Sequence, residues 1–102
     1  MSDRLLDDQV IKTISSIVAE ALLIDPAKIK NESRLFYDLG AESIDILDIR
    51  FRIESAFGIK INQQELIDSL GDGLEADQIR QKFTVGSLVH YVKGVLNQKN
   101  EA

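Results

Sequence analysis

The chain has 102 residues, 44% of them hydrophobic, with 12 Lys and Arg against 17 Asp and Glu and a formal charge of −5. That length predicts one domain, residues 1–102, burying somewhat over 60% of its unfolded surface. The acid excess excludes a nucleic-acid surface, which needs a basic stripe to displace counterions, and points to basic protein partners. The absence of cysteine excludes a disulfide framework, a thiolate metal site and a catalytic thiol. Met1-Ser2-Asp3-Arg4 lacks a basic region leading into an apolar one, and no run of about eighteen apolar residues follows. A cytoplasmic protein without stable membrane insertion is expected.

From Asp3 to Leu22, apolar residues at Leu6, Val10, Ile14, Ile17, Val18 and Ala21 keep the three-and-four spacing of a helix burying one face, with Asp3 as its cap. Leu23 to Leu39 has no sustained period. Asp25-Pro26-Ala27 reads as a turn opening a long loop, which Ile24, Ile29, Leu35 and Phe36 pin to the core.

The stretch around which the rest is organised is Asp38-Leu39-Gly40-Ala41-Glu42-Ser43-Ile44, running on as a helical pattern to Phe57-Gly58-Ile59-Lys60-Ile61. Gly40 permits a backbone conformation that other residues resist, and Glu42-Ser43 forms the mouth of the helix, with Ser43 facing solvent. Serine is also a common helix cap, which is the plain structural reading of Ser43. At 100° per residue the helix carries two apolar stripes. Ile46, Ile49, Ile53, Ala56 and Phe57 share a broad face assigned to the core. Ile44, Leu47 and Phe51 form a narrow one rimmed by Asp45 and Asp48 on one side and Arg50 and Glu54 on the other, which is either a docking surface or a second buried face. Asp48 and Arg52 stand four apart in the favourable order.

Asn62 with Glu65 three residues later opens a short helix through Leu66, Ile67 and Leu70. Gly71-Asp72-Gly73 breaks it, and Leu74 to Phe83 forms a further helical turn or two around Ile79. Thr84 caps a final helix with Val85, Leu88, Val89, Val92, Val95 and Leu96 on one face, and the tail from Asn97 frays.

The Asp38–Ile44 string with its following amphipathic helix resembles the acyl carrier proteins, whose pattern is D-L-G-x-D-S-L; Glu42 and Ile44 replace the usual Asp and Leu. The resemblance runs from about Leu5 to Leu96. It implies an all-α fold, a small four-helix bundle with a long first loop and an extended segment around the third helix. It also implies that Ser43 carries 4'-phosphopantetheine through a phosphodiester, placed there by a phosphopantetheinyl transferase. Acyl thioesters on that arm would go to acyl-chain synthesis and acyltransferase enzymes whose basic patches dock on Glu42, Ile44, Asp45, Leu47, Asp48, Phe51 and Glu54. A monomer suits that role. The segment between Ile61 and Thr84 is roughly ten residues longer than the common pattern and looks most like specialised carriers of very long acyl chains for lipid A, although Arg50 and Arg52 depart from it.

The chemistry agrees with a carrier. Thioester formation needs a thiol that this chain lacks, so the arm would import it and partner enzymes would supply catalysis. A serine hydrolase needs an oriented base, and the only histidine is His90, on the last helix. The acids Asp38, Glu42, Asp45 and Asp48 lack calcium-loop spacing, so no metal is expected. A helix N-terminus favours a phosphate by about 0.3–1 kcal/mol, which Asp38, Glu42 and Asp45 oppose, so no preformed anion site is expected. The alternatives are an unmodified acidic helical adaptor for basic proteins, and a polyketide or nonribosomal carrier of the same fold.

Overall fold

Three-and-four spacing winds the first segment into α1 (Asp3–Leu22), which buries Val10, Ile14, Ile17, Val18 and Ala19. The computed structural model describes residues 3–101, with side chains for 7–98. The expected cap at Asp3 and the inward face at Leu6 lie outside the described side chains. Leu23 ends the helix with a left-handed φ of 57°, and the Ile24 N–H donates back to the Ala19 carbonyl at 3.0 Å. That closure is usually given to glycine.

Asp25 then caps a 3-10 turn, Pro26–Lys28, its carboxylate accepting from the Ala27 N–H at 2.9 Å. The rest of the connection is laced to the start of the last helix. The Leu35 N–H donates to the Phe83 carbonyl (3.0 Å), Val85 to Ser33 (3.0 Å) and Gly86 to Asn31 (2.7 Å). A Cβ on Gly86 would lie 2.9 Å from the Asn31 carbonyl oxygen, so this approach requires glycine. Leu35 is fully buried while Ile29 and Phe36 pack partly against the core. Ile24, expected with them, borders a shallow hollow beside Ala19 and Pro26 instead.

Helix α2 (Ser43–Phe57) buries Ile49 and Ile53, with Ile46 and Phe57 partly covered. Ala56, expected in the core, is exposed. Gly58, at φ 64°, closes the helix by donating to the Glu54 carbonyl. The chain then reverses, and the Glu54 carboxylate accepts the Ile61 N–H at 2.8 Å.

The extended segment resolves into two short helices, α3 (Gln63–Asp68) and α4 (Ala76–Lys82), separated by Gly71-Asp72-Gly73. Asn62 caps α3 through the Glu65 N–H at 3.0 Å. The Tyr91 hydroxyl accepts the Asn62 N–H (3.2 Å) and donates to the Glu65 carboxylate (3.4 Å), standing between the two ends of the expected capping box. Burial pushes the Tyr91 phenol above its ordinary pKa, so it remains a donor.

Thr84 caps α5 (Val85–Glu101): its hydroxyl accepts the Ser87 N–H and the Ser87 hydroxyl accepts the Thr84 N–H, both at 3.0 Å. The tail expected to fray from Asn97 is helical through Glu101. Packing runs chiefly through α1 against α2 and α5. Val10, Ile14, Val18, Leu35, Ile49, Ile53, Val85 and Val92 form the sealed centre of one contiguous core. Among the described residues the fold is an all-α bundle whose one β-type feature is an isolated bridge between Arg34 and Thr84.

Candidate functional site

Gly40 turns the chain toward α2 at φ 72°, with nothing within 4 Å of where a Cβ would stand, so conformation alone asks for glycine there. Ala41 is buried and its N–H donates to the Leu35 carbonyl at 2.9 Å, fixing the entry to the helix. Glu42 occupies the cap position, and its N–H donates to the Asp45 carboxylate at 2.8 Å. Ser43 is therefore the first helical residue and the cap is Glu42. The Ser43 side chain is exposed, and its hydroxyl has no hydrogen-bond partner among the described residues.

The acids around it are not equivalent. Asp38 accepts from the Arg34 N–H (2.8 Å) and pairs with its guanidinium (3.1 Å), which holds the Asp38 carboxyl below the usual carboxylate range. Its charge is largely answered, leaving Glu42 and Asp45 as the acids beside Ser43. Asp48 pairs with Arg52 at 3.0 Å, and Arg52 also reaches Glu20 on α1 at 3.5 Å. Glu54 is engaged inward by the Ile61 N–H.

The second apolar stripe of α2 stays uncovered: Ile44, Leu47 and Phe51 are 71%, 45% and 53% exposed. On the other side of Ser43 lies a cleft of about 310 Å³. Helix α2 lines it with Ser43, Ile46, Leu47, Ile49 and Arg50. The opposite wall is Ile61, Gln63, Leu66, Ile67 and Leu70, with Ile79 and Phe83 from α4 and its end. Phe36 and Leu88 complete it. Leu74 stands apart from this wall and folds over Gly71, 3.3 Å from the position of a Cβ there.

Two side-chain contacts fasten α4 over the loop. Tyr37 donates to Asp77, a hydrogen bond that raises the Tyr37 pKa, and the Arg80 guanidinium lies 5.7 Å from the Phe36 ring centre. Neither was legible in the sequence, since 40 residues separate Tyr37 from Asp77. The Arg34–Asp38 pair had a signal in its spacing of four, and Gly86 had one as a lone glycine in a helical pattern. His90 is exposed and makes no hydrogen bond to Ser43, and no group of three metal-ligating side chains is gathered among the described residues. An unassisted serine at a helix mouth beside an apolar cleft suits a tether for a covalently held group.

Comparison with known proteins gives the class. The family described as "Phosphopantetheine attachment site" matches residues 12–72. The acyl carrier protein of Thermotoga maritima is 34% identical over 64% of this chain and 83% of its own length. That of Wolinella succinogenes is 32% identical over 78% and 88%. Acyl carrier protein AcpXL of Rhizobium meliloti is 42% identical over 59% of this chain and 63% of its own length. The chain belongs to the acyl carrier protein family, with the phosphopantetheine attachment domain as its defining part.

Proposed function

We propose that this chain carries acyl intermediates as thioesters on a 4'-phosphopantetheine arm attached at Ser43, and delivers them to lipid-synthesis enzymes while contributing no catalytic group of its own. The observation that carries the proposal is the free, solvent-facing Ser43 hydroxyl at the edge of an apolar cleft of about 310 Å³. The residues fit the arm: the hydroxyl is open to a phosphopantetheinyl transferase and the cleft is lined mostly by aliphatic side chains. When bound, the arm supplies the thiol that this cysteine-free chain lacks.

The chain's own residues then have distinct tasks. Glu42 and Asp45 set the helix mouth so that Ser43 projects outward. Ile46, Leu66, Ile67 and Leu70 keep water from an apolar chain lodged in the cleft. The exposed Ile44, Leu47 and Phe51, edged by Glu42, Asp45 and Asp48, offer basic partners an apolar centre with an acidic rim. Glu54 joins that rim only in part, because the Ile61 N–H engages it. The whole operates as one cytoplasmic domain, residues 1–102, and as a monomer.

A longer cargo, of the lipid A kind, is the finer reading favoured by the α3–α4 wall. A longer chain needs α4 to move, and its attachment to the loop by Tyr37–Asp77 and Arg80–Phe36 lies at the surface. Incubation with a phosphopantetheinyl transferase and coenzyme A, followed by intact mass, tests the main proposal. One added phosphopantetheine per chain is expected; an unchanged mass, with a known carrier modified in parallel, favours the unmodified acidic adaptor.

A further inference from the structure

Arg50 is the one charged side chain in the wall of the cleft. Its Nε is closed off from solvent and has no hydrogen-bond partner among the described residues. The guanidinium lies 5.3 Å from the Phe51 ring centre, which answers part of the positive charge but gives the Nε–H no oxygen acceptor. Buried donors are almost always paired; this one is covered as the half-buried side chain stands, and an acceptor in the cleft meets it when that side chain turns toward the space it lines.

Helix geometry places the donor with respect to Ser43. Seven residues advance the helix by about 700°, within roughly 20° of two full turns, and by about 10 Å. Ser43 and Arg50 therefore line the cleft from one side of α2, the serine at its mouth and the arginine two turns further along.

We propose that Arg50 is a specificity-determining residue whose Nε–H donates a hydrogen bond to a carbonyl or hydroxyl oxygen carried into the cleft by the group attached at Ser43. This rests on the assignment of Ser43 as the attachment residue. The acceptor has two sources of the same chemistry, an amide carbonyl of the arm or an oxygen at C3 of the acyl chain. In the second case the cleft prefers 3-hydroxyacyl or 3-oxoacyl cargo to a saturated chain of equal length. Apart from Ser43 at the mouth and the exposed Gln63 amide on the facing wall, the lining is Leu, Ile and Phe, so Arg50 is the charged donor available to such an oxygen.

The test follows the Arg50 Nε–H by NMR, its signal assigned through its loss in Arg50→Lys, which keeps the charge without that donor. Four forms are compared, each verified by intact mass: unmodified, phosphopantetheine-loaded, saturated-acyl and 3-hydroxyacyl of equal length. A downfield shift on phosphopantetheine loading alone identifies the arm's amide as the acceptor. A shift confined to the 3-hydroxyacyl form identifies the cargo, and the melting temperature of that form then exceeds the saturated one in the native protein but not in Arg50→Met. An unmoved Nε–H in all forms of correct mass overturns the proposal, as does a shift confined to the 3-hydroxyacyl form whose preference is undiminished in Arg50→Met. Failure of the Ser43 assignment registers separately, as absence of the added mass.

Discussion

Lengthening the acyl chain on Ser43 tests whether the α3–α4 segment is a working wall of the cleft. Each methylene withdrawn from water contributes up to about 0.8 kcal/mol, so a two-carbon step is worth at most ~1.6 kcal/mol. For a domain of this size a gain of 1 kcal/mol raises Tm by roughly 4–8 °C, which makes single steps visible in a melting curve. The rise in Tm is expected to flatten at the chain length that fills the cleft, because further methylenes stay in water. Shortening residues 71–81 removes Ile79 and most of α4, and with them one end of the wall facing α2. The shortened protein is expected to flatten several carbons earlier. Differential scanning calorimetry on a homologous series of acyl forms, with each unmodified protein as baseline, reads both profiles. Identical length profiles for the two proteins would refute a sheltering role and leave the segment a surface connection.

Reversal of charge at Asp48 is expected to slow association with a basic partner enzyme by roughly three- to tenfold and to weaken its salt dependence, read by stopped-flow kinetics; unchanged kinetics in Asp48→Lys and Asp45→Lys would exclude this face from docking. Leu23, 91% exposed at a left-handed φ, is expected to give about 0.5–1 kcal/mol of stability when replaced by glycine, and a lower Tm would contradict the strain argument. The Arg34–Asp38 pair lowers the Asp38 pKa, so its contribution is present above the ordinary carboxylate value near about 3.9 and disappears as pH falls through the lowered value. The stability gap between native protein and Arg34→Gln is therefore expected at neutral pH and to close on acidification below about pH 4; a gap that widens in acid would reverse the assignment.

Sequence periodicity exposed what depends on local spacing. The buried faces of α1 and α5, the turn at Asp25-Pro26-Ala27, the caps at Asn62 and Thr84, and the break at Gly71-Asp72-Gly73 all follow from side chains acting within a few residues of themselves. The exposed stripe of Ile44, Leu47 and Phe51 was visible as an angle, but whether anything covers it depends on the other helices. Ala56 illustrates the same limit from the other side. It lies at the angle of Ile49, seven residues on, yet is exposed because a period does not say what stands opposite.

Contacts between distant segments were illegible for a different reason. The Tyr91 hydroxyl between Asn62 and Glu65 and the Tyr37–Asp77 hydrogen bond join polar groups with no shared pattern. Glu54 read as a surface acid because its helix position points outward; only the left-handed turn at Gly58 brings the Ile61 N–H back to it. At the candidate site, the serine and its helix were legible in one short string. How the cleft closes was not, since its walls come from α2, α3, α4, α5 and the first loop.

The central claim is that the free hydroxyl of Ser43 is where this chain receives its phosphopantetheine. Its most direct test is fragment mass spectrometry of the native protein and Ser43→Ala after treatment with a phosphopantetheinyl transferase and coenzyme A, with circular dichroism of both. Ser43 caps no helix and its hydroxyl has no hydrogen-bond partner among the described residues, so Ser43→Ala is expected to keep the native helical spectrum and melting temperature. The native protein is expected to carry one phosphopantetheine on the peptide spanning Ser43, and the folded variant none. Modification of Ser43→Ala, or of another serine in the native chain, would contradict the account.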